Sequence, residues 1–232
     1  MTGETTDVEL VLVVITGVAW TIVYLDSIRI GLRQKTFAMP VIALGLNFSW
    51  ELTYAALDSY TAFHDPTVNN IAWALVEIVW ALADIAIIFT FFKFGRAEFP
   101  AFINRELFVS WAVLVFGVCC VVQWLIIAEF GVADAVRYSA FLQTVLMSGL
   151  YIAMLVARRG LRGQTLTIAI AKWIGTLAAT ALYGVVVASP FILGLGIICC
   201  GLDIVYIGLV MWAQRRPHTL AGTPRPAESV GA

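Results

Sequence analysis

Charged residues are scarce in this 232-residue chain: Asp, Glu, Lys and Arg make up 12% of it. Soluble proteins have about a quarter of their residues charged, so this composition excludes an ordinary soluble domain. Hydrophobic types make up 61% of the residues, and the mean hydropathy is +0.93. The apolar residues fall into segments of roughly 20 residues, the length that crosses a bilayer as a helix. The sequence therefore predicts an all-α, polytopic membrane protein with seven transmembrane helices, at 8–28, 38–57, 71–93, 107–129, 134–156, 166–187 and 190–213.

Metal-binding and redox signals are also missing. The four cysteines lie in apolar segments as two adjacent pairs, Cys119–Cys120 and Cys199–Cys200. This pattern excludes a secreted disulfide framework and CxxC metal spacing. The sequence contains no DDxxD cluster, which metal-dependent ionisation of a diphosphate would require. We expect no metal, no cofactor and no nucleic-acid partner, and no removable signal peptide, because a basic stretch with a cleavage site is missing at the N-terminus.

Lysine is absent from the last predicted span, which excludes a retinal protein with a Schiff base on that helix. Lys172 lies one span earlier, near the predicted cytoplasmic end. We expect its long side chain to extend toward the membrane surface, as buried lysines near helix ends commonly do. The alternative is an ion pair with Asp84 or Asp203.

The basic residues alternate between the two sides of the predicted membrane domain. Twelve of the fourteen follow spans 1, 3, 5 and 7, whereas the loops after spans 2, 4 and 6 contain only Arg137. The positive-inside rule then places the N-terminus outside and the C-terminus in the cytoplasm. We expect a seven-helix transmembrane domain at 1–216, a disordered cytoplasmic tail at 217–232, and a multi-pass location in the plasma membrane.

Three predicted spans carry acidic side chains away from their ends, although charge at membrane depth is costly. In each span the acid shares one helical face with aromatic or amide groups, because the residues recur at spacings of three or four. Isolated carboxylates would not face lipid, so we expect these faces to meet around a shared cavity. Gln143 on span 5 could add a neutral polar group. The faces consist of Asn47, Glu51, Tyr54 and Asp58; of Trp73, Glu77, Trp80 and Asp84; and of Cys199, Asp203 and Tyr206.

Acids and aromatic rings in a dry cavity are suited to carbocation chemistry. A carboxyl group removed from water favours its protonated form and can act as a general acid. Aromatic faces stabilise the cation that forms when an olefin or epoxide is protonated. Proton-initiated polyene cyclisation is therefore one function that the residues favour. A proton-coupled small-molecule transporter or channel, in which the carboxylates form a relay, is the alternative, and a non-catalytic scaffold is a third.

The segment Asn47-Phe48-Ser49-Trp50-Glu51-Leu52-Thr53-Tyr54-Ala55 resembles the Trp-Glu-x-x-Tyr segment of small seven-helix integral membrane terpene cyclases. That family includes the fungal paspaline- and pyripyropene-type meroterpenoid cyclases and the bacterial drimentine-type indole sesquiterpenoid cyclases. The pairs Trp80 with Asp84 and Asp203 with Tyr206 extend the resemblance along the chain.

This resemblance implies a metal-independent, class II-type cyclase with Glu51 and Asp203 as its essential acids. Asp84 and Glu77 would hold or recharge the proton donor. The expected substrate is prenylated, in particular a farnesylated indole or related aromatic compound with a terminal olefin or its epoxide. A membrane-associated prenyltransferase or epoxidase would be a partner. The expected substrate-binding residues are Asn47, Trp50, Tyr54, Trp73, Trp80, Tyr206 and Gln143.

Overall fold

A computed structural model describes residues 7–100 and 102–215, and this part of the chain forms seven α-helices with no strand. The predicted all-α architecture is confirmed. The helices are α1 (Asp7–Gln34), α2 (Val41–His64), α3 (Val68–Phe94), α4 (Leu107–Phe130), α5 (Val132–Arg158), α6 (Leu166–Thr180) and α7 (Pro190–Arg215). A short 3₁₀ helix, Gly95–Glu98, follows α3, and a π-helical segment, Ala181–Val186, follows α6. The predicted tail at 217–232 lies outside the described residues.

Local sequence accounts for several helix ends. Thr67 precedes α3 and its side chain accepts a hydrogen bond from the backbone N–H of Asn70. Thr165 does the same for Ile168 at the start of α6. These are N-caps, in which a hydroxyl satisfies a backbone donor that has no partner within the helix. Helix α2 begins only after Pro40, three residues later than the predicted span, because the residue before a proline is biased toward extended backbone.

The helices are joined side by side into a closed ring. Following their contacts, the order around the ring is α1, α3, α2, α4, α5, α7, α6 and back to α1. Helices α2 and α5 also contact each other directly, which leaves α4 at the periphery of the ring. The interior is therefore lined by α1, α2, α3, α5, α6 and α7, and each of these helices except α5 carries a buried charged residue.

Six helical segments in the described part of the chain are long and apolar enough to cross a membrane, and α2 is the helix that falls outside this set. Helix α2 still has 24 residues, about 36 Å at 1.5 Å per residue, which is sufficient to span the hydrocarbon. Many large apolar side chains point outward, among them Leu25, Leu125 and Ile197, each more than 60% exposed. The molecule is thus a polytopic membrane protein, and its orientation stays a prediction.

The loops that follow α1, α3 and α5 meet at one end of the ring. Arg158 pairs with Glu98 of the 3₁₀ helix at 2.8 Å and donates to the Phe37 carbonyl at 3.0 Å. Arg162 donates to the Lys35 carbonyl at 3.0 Å. We name this set, Lys35, Phe37, Glu98, Arg158 and Arg162, the basic-end cluster. Its position agrees with the alternation of basic loops seen in the sequence.

The regularly spaced glycines of α7 do not mark its close contact. Small residues permit close approach between membrane helices, but a Cβ at Gly194, Gly201 or Gly208 would meet open space. The close approach occurs instead at Gly196, where a Cβ would lie 2.2 Å from Thr180 of α6. Regular glycine spacing did not reveal which face of α7 contacts α6.

Candidate active site

The four acids predicted from spans 2, 3 and 7 are all buried. Glu51 is 3% exposed, Glu77 4%, Asp84 0% and Asp203 1%. The expectation that they avoid lipid is therefore confirmed. They form two separate groups, however, rather than one cluster on α2, α3 and α7.

The first group joins α1, α2 and α3 through a continuous hydrogen-bonded chain. The Tyr24 hydroxyl donates to Glu51 Oε1 at 2.7 Å. Asn47 Nδ2 donates one hydrogen to the Tyr24 oxygen at 2.6 Å and the other to Asp84 Oδ2 at 2.8 Å. Each donor of the Asn47 amide therefore has a partner, and the chain links the carboxyl groups of Glu51 and Asp84.

Glu77 of α3 is buried next to this group, and its carboxyl group is close enough to that of Glu51 for the two to interact. Two carboxylates have only acceptor oxygens, so a hydrogen bond between them requires that one be protonated. Protonation of one member would therefore let the Glu51–Glu77 pair share a proton. We name Tyr24, Asn47, Glu51, Glu77 and Asp84 the acid group.

The second group joins α5, α6 and α7. Lys172 Nζ contacts Asp203 Oδ1 at 2.7 Å and Oδ2 at 2.9 Å, and it contacts Ser148 Oγ at 2.6 Å. Lys172 is 0% exposed. The expectation that Lys172 extends to the membrane surface is wrong, and the alternative of an ion pair with Asp203 is confirmed. The reason is local: a buried carboxylate on the neighbouring helix compensates the buried ammonium. We name Ser148, Lys172 and Asp203 the ion-pair group.

The two groups face each other across the ring. Tyr151 of α5 is fully buried and packs on Tyr206 of α7. Several buried oxygens at this centre have no hydrogen-bond partner within the described chain, among them Glu51 Oε2, Asp84 Oδ1 and the Tyr151 hydroxyl. Buried polar atoms in folded proteins are nearly always satisfied. Unpaired oxygens concentrated here indicate an interior that accommodates polar atoms from outside the chain.

The aromatic residues predicted to bind substrate occupy different positions. Trp80 stacks on Tyr24, with ring centroids 6.1 Å apart, and thus adjoins the acid group. Trp50 packs on Tyr54 at 4.7 Å. Tyr206 packs on Tyr151 at 5.4 Å, beside the ion-pair group.

The predicted binding residues also differ in their polar contacts and in their burial. The Tyr206 hydroxyl donates to Gln164 Oε1 at 2.9 Å, and Trp50 Nε1 donates to the Val136 carbonyl at 3.0 Å. Gln143 is buried, whereas Trp73 is 38% exposed. Trp73 is therefore not enclosed as the carboxyl groups are.

Sequence reasoning missed three of the residues that complete these groups. Tyr24, Ser148 and Tyr151 are all buried, but each stands on a span without an acid in the polar faces described above. The sequence signal for these three residues was weak, since single hydroxyl residues are common in membrane helices.

A groove of about 630 Å³ between α1 and α6 contains none of the acids. It is lined by Val14, Ile15, Val18, Ala19, Ile22, Leu166, Thr167, Ile170, Ala171 and Ile174.

Seven membrane helices that enclose two neighbouring carboxyl groups and a separate ion-paired carboxylate define a membrane protein with the groups that acid–base chemistry within the bilayer requires. Comparison with known proteins identifies the family to which this membrane protein belongs. Residues 4–216 match the family of Pyr4-like transmembrane terpene cyclases, and the chain belongs to that family. The resemblance drawn from the Trp50-Glu51 segment is thus confirmed at family level.

The curated relatives are terpene cyclases from fungi. The chain is 24% identical over 213 residues to terpene cyclase pyr4 of Aspergillus fumigatus, which covers 87% of this chain and 85% of the relative. It is 23% identical over 223 residues to terpene cyclase paxB of Penicillium paxilli, covering 92% and 88%. No solved structure matches the chain. The protein is therefore a membrane terpene cyclase.

Proposed function

We propose that this cyclase acts by metal-independent protonation of a prenylated aromatic substrate, and more specifically of a farnesylated indole. The observation that carries the proposal is the burial of two neighbouring carboxyl groups, Glu51 and Glu77, in the ring interior. A carboxyl pair that shares a proton provides a general acid without a bound metal.

In the first step, Glu51 is the proton donor. Its O–H bond breaks as a C–H bond forms at the terminal olefin of the substrate, and the π electrons leave a tertiary cation. With an epoxide, the proton goes to the oxygen and a C–O bond breaks instead. Tyr24 donates to Glu51 Oε1 and stabilises the carboxylate that remains, because hydrogen bonds to a charged acceptor are stronger than neutral ones.

In the following steps, internal olefins attack the cation and close the rings. Trp80 and Tyr206 adjoin the two polar groups and are suited to shield the intermediate from water, since aromatic faces attract cations. We assign Trp50, Tyr54 and Gln143 to the walls that fold the chain, and Asn47 and Asp84 to holding the donor. Trp73, with its exposed ring, would contact substrate only at the membrane side.

In the last step, a C–H bond next to the final cation breaks and its proton passes to a carboxylate. Asp203 is the candidate proton acceptor, because Lys172 contacts both of its oxygens and pairs with it as a carboxylate. Since one proton is gained and one is lost, the product is an isomer of the substrate. The proton left on Asp203 then returns to the Glu51–Glu77 pair, which restores the donor for the next turnover.

The substrate class rests on the family resemblance and on the aromatic surroundings of the acids. The relatives' names state terpene cyclisation without a substrate. We further propose a plasma-membrane location and a membrane-associated prenyltransferase or epoxidase that supplies the substrate, because a prenylated compound partitions into the bilayer.

The test is to incubate membranes that contain the protein with a farnesylated indole, and in parallel with its terminal epoxide, and to search for a product of equal mass. We expect Glu51→Gln, which preserves shape but removes the acid, to reduce turnover by about 10²–10⁴-fold. Glu129→Gln, at an exposed carboxylate on α4, is the matched control and should retain activity. Undiminished turnover in Glu51→Gln would remove Glu51 from the mechanism.

A further inference from the structure

Lys172 stands out as a buried cation that the proposed chemistry does not use directly. It lies on α6 with 0% exposure, and its contacts on α5 and α7 are all oxygen atoms. A buried charge is costly unless it is paired and hydrogen-bonded. Such a residue needs a structural or chemical reason, and its partner, Asp203, is one of the two acids expected to be essential.

The hydrogen bonds around Lys172 indicate its protonation state. Ser148 Oγ donates its hydrogen to the Thr144 carbonyl at 2.9 Å, so it can only accept from Lys172 Nζ. Both Asp203 oxygens also lie within hydrogen-bonding distance of Nζ. Three acceptors around one nitrogen match the three N–H groups of an ammonium. The same arrangement leaves both oxygens of Asp203 as acceptors, as in a carboxylate.

The acid group offers the opposite environment. Glu51 Oε1 accepts from a neutral tyrosine, its second oxygen has no hydrogen-bond partner in the described chain, and the nearby Glu77 is another carboxyl group. The described contacts of Glu51 are therefore to neutral or acidic groups, whereas Asp203 contacts a cation. The two essential acids are thus in different electrostatic settings on opposite sides of the ring.

We propose that Lys172 is a positioning residue that holds Asp203 as a carboxylate, so that Asp203 serves as the anion and base of the reaction and Glu51 alone as the proton donor. This inference rests on the proposed function for the meaning of those roles. Its structural content, an ionised Asp203 that depends on Lys172, can be measured without any substrate.

The experiment is infrared spectroscopy of the full-length protein in lipid nanodiscs, with ¹³C-labelled aspartate. Subtracting the spectrum of Lys172→Met/Asp203→Asn isolates the Asp203 band. That double variant replaces the ion pair with neutral groups and is expected to fold, because both charges are removed together. Wild type, Lys172→Arg and the exposed control Lys93→Met should show the carboxylate stretch. Lys172→Met should show the C=O stretch of a protonated carboxyl group instead.

A protonated C=O band in wild type would overturn the proposal, since it would mean a neutral pair. A carboxylate band that persists in Lys172→Met would overturn it too, because Lys172 would then not hold the charge. If Lys172→Met fails to fold, the wild-type band still decides between ion pair and neutral pair. If the protein shows these bands but does not cyclise the substrate, the proposed function is refuted and this inference remains intact.

Turnover provides a second readout. Because Lys172 acts through Asp203, we expect Lys172→Met to lower kcat by about 10²-fold, in the range of a lost acid–base group. KM should stay within about twofold, since substrate binding is not changed, and Lys172→Arg should recover most of the activity. A raised KM with an unchanged kcat would show that Lys172 contacts the substrate, and would contradict the assignment.

Discussion

Asn47 shows how one side chain can organise a buried site. Its amide uses one hydrogen for Tyr24 and the other for Asp84, so a neutral group joins two helices that carry acids. The sequence indicated Asn47 as a substrate-binding residue because it shares a face with Glu51. The structure gives its donors two internal partners, which leaves only the amide oxygen for a substrate.

Tyr24→Phe tests the hydrogen bond that supports the donor. The substitution removes the hydroxyl that contacts Glu51 Oε1 but preserves the ring that stacks on Trp80. We expect kcat for the cyclised isomer to fall about tenfold, the effect of one hydrogen bond of roughly 1.4 kcal/mol. Tyr60→Phe, at a tyrosine that is 66% exposed, is the control. Equal rates in the two variants would exclude Tyr24 from the reaction.

The acids could be predicted from sequence because burial of charge in an apolar segment is conspicuous in itself. Which acids pair could not be predicted, because helical periodicity defines a face but not its neighbour. Glu51 has Glu77 as a neighbour, whereas Asp203 pairs with Lys172. Tyr24 was missed for the same reason: its importance follows from its neighbours across the ring.

At the scale of the helix, the seven predicted spans correspond to the seven helices of the described chain because length and hydropathy are local properties. The contact between α6 and α7 is different, since it depends on the shape of both surfaces. Gly196 faces Thr180 there, and Gly184 of the π-helical segment faces Leu193 of α7. Close approach at two levels fixes the height of α7, and hence the position of Asp203 beside Lys172.

Gly196→Ala is expected to destabilise the fold by about 1–3 kcal/mol, because the added methyl group overlaps Thr180 and overpacks the contact. Gly201→Ala lies on the same helix in open space and should be neutral or slightly stabilising, since alanine favours a helix over glycine. Thermal unfolding in detergent compares the two variants. Identical unfolding temperatures would mean that the close contact between α6 and α7 tolerates a larger residue.

At the scale of the whole molecule, the basic-end cluster gathers three loops at one end of the ring. Arg158 also lies over the Phe37 ring at 4.3 Å, so the loops after α1 and α5 are joined by both charge and stacking. The sequence predicted that these loops share a side, and the structure brings them into contact. The sequence could not predict the order of the helices around the ring, because short loops constrain only consecutive helices.

The predicted orientation places the basic-end cluster in the cytoplasm. We expect Cys introduced at Arg159, an exposed residue of that end, to be protected from a membrane-impermeant thiol reagent in intact cells and to react after permeabilisation. Cys introduced at Asn69, exposed at the opposite end, should react in both. The reverse labelling pattern would show that the protein is inserted the other way round.

Helix α2 carries both Asn47 and Glu51, and it is the helix outside the set that is apolar enough to cross a membrane by its own composition. The polar side chains that we assign to the proposed reaction are therefore among those that weaken the signal for insertion. During synthesis, α2 should leave the translocation machinery together with α3, as a hairpin in which the polar groups of the two helices satisfy each other. Substitutions that separate Asn47 from Asp84 would then lower the yield of inserted protein, even before any effect on turnover is measured.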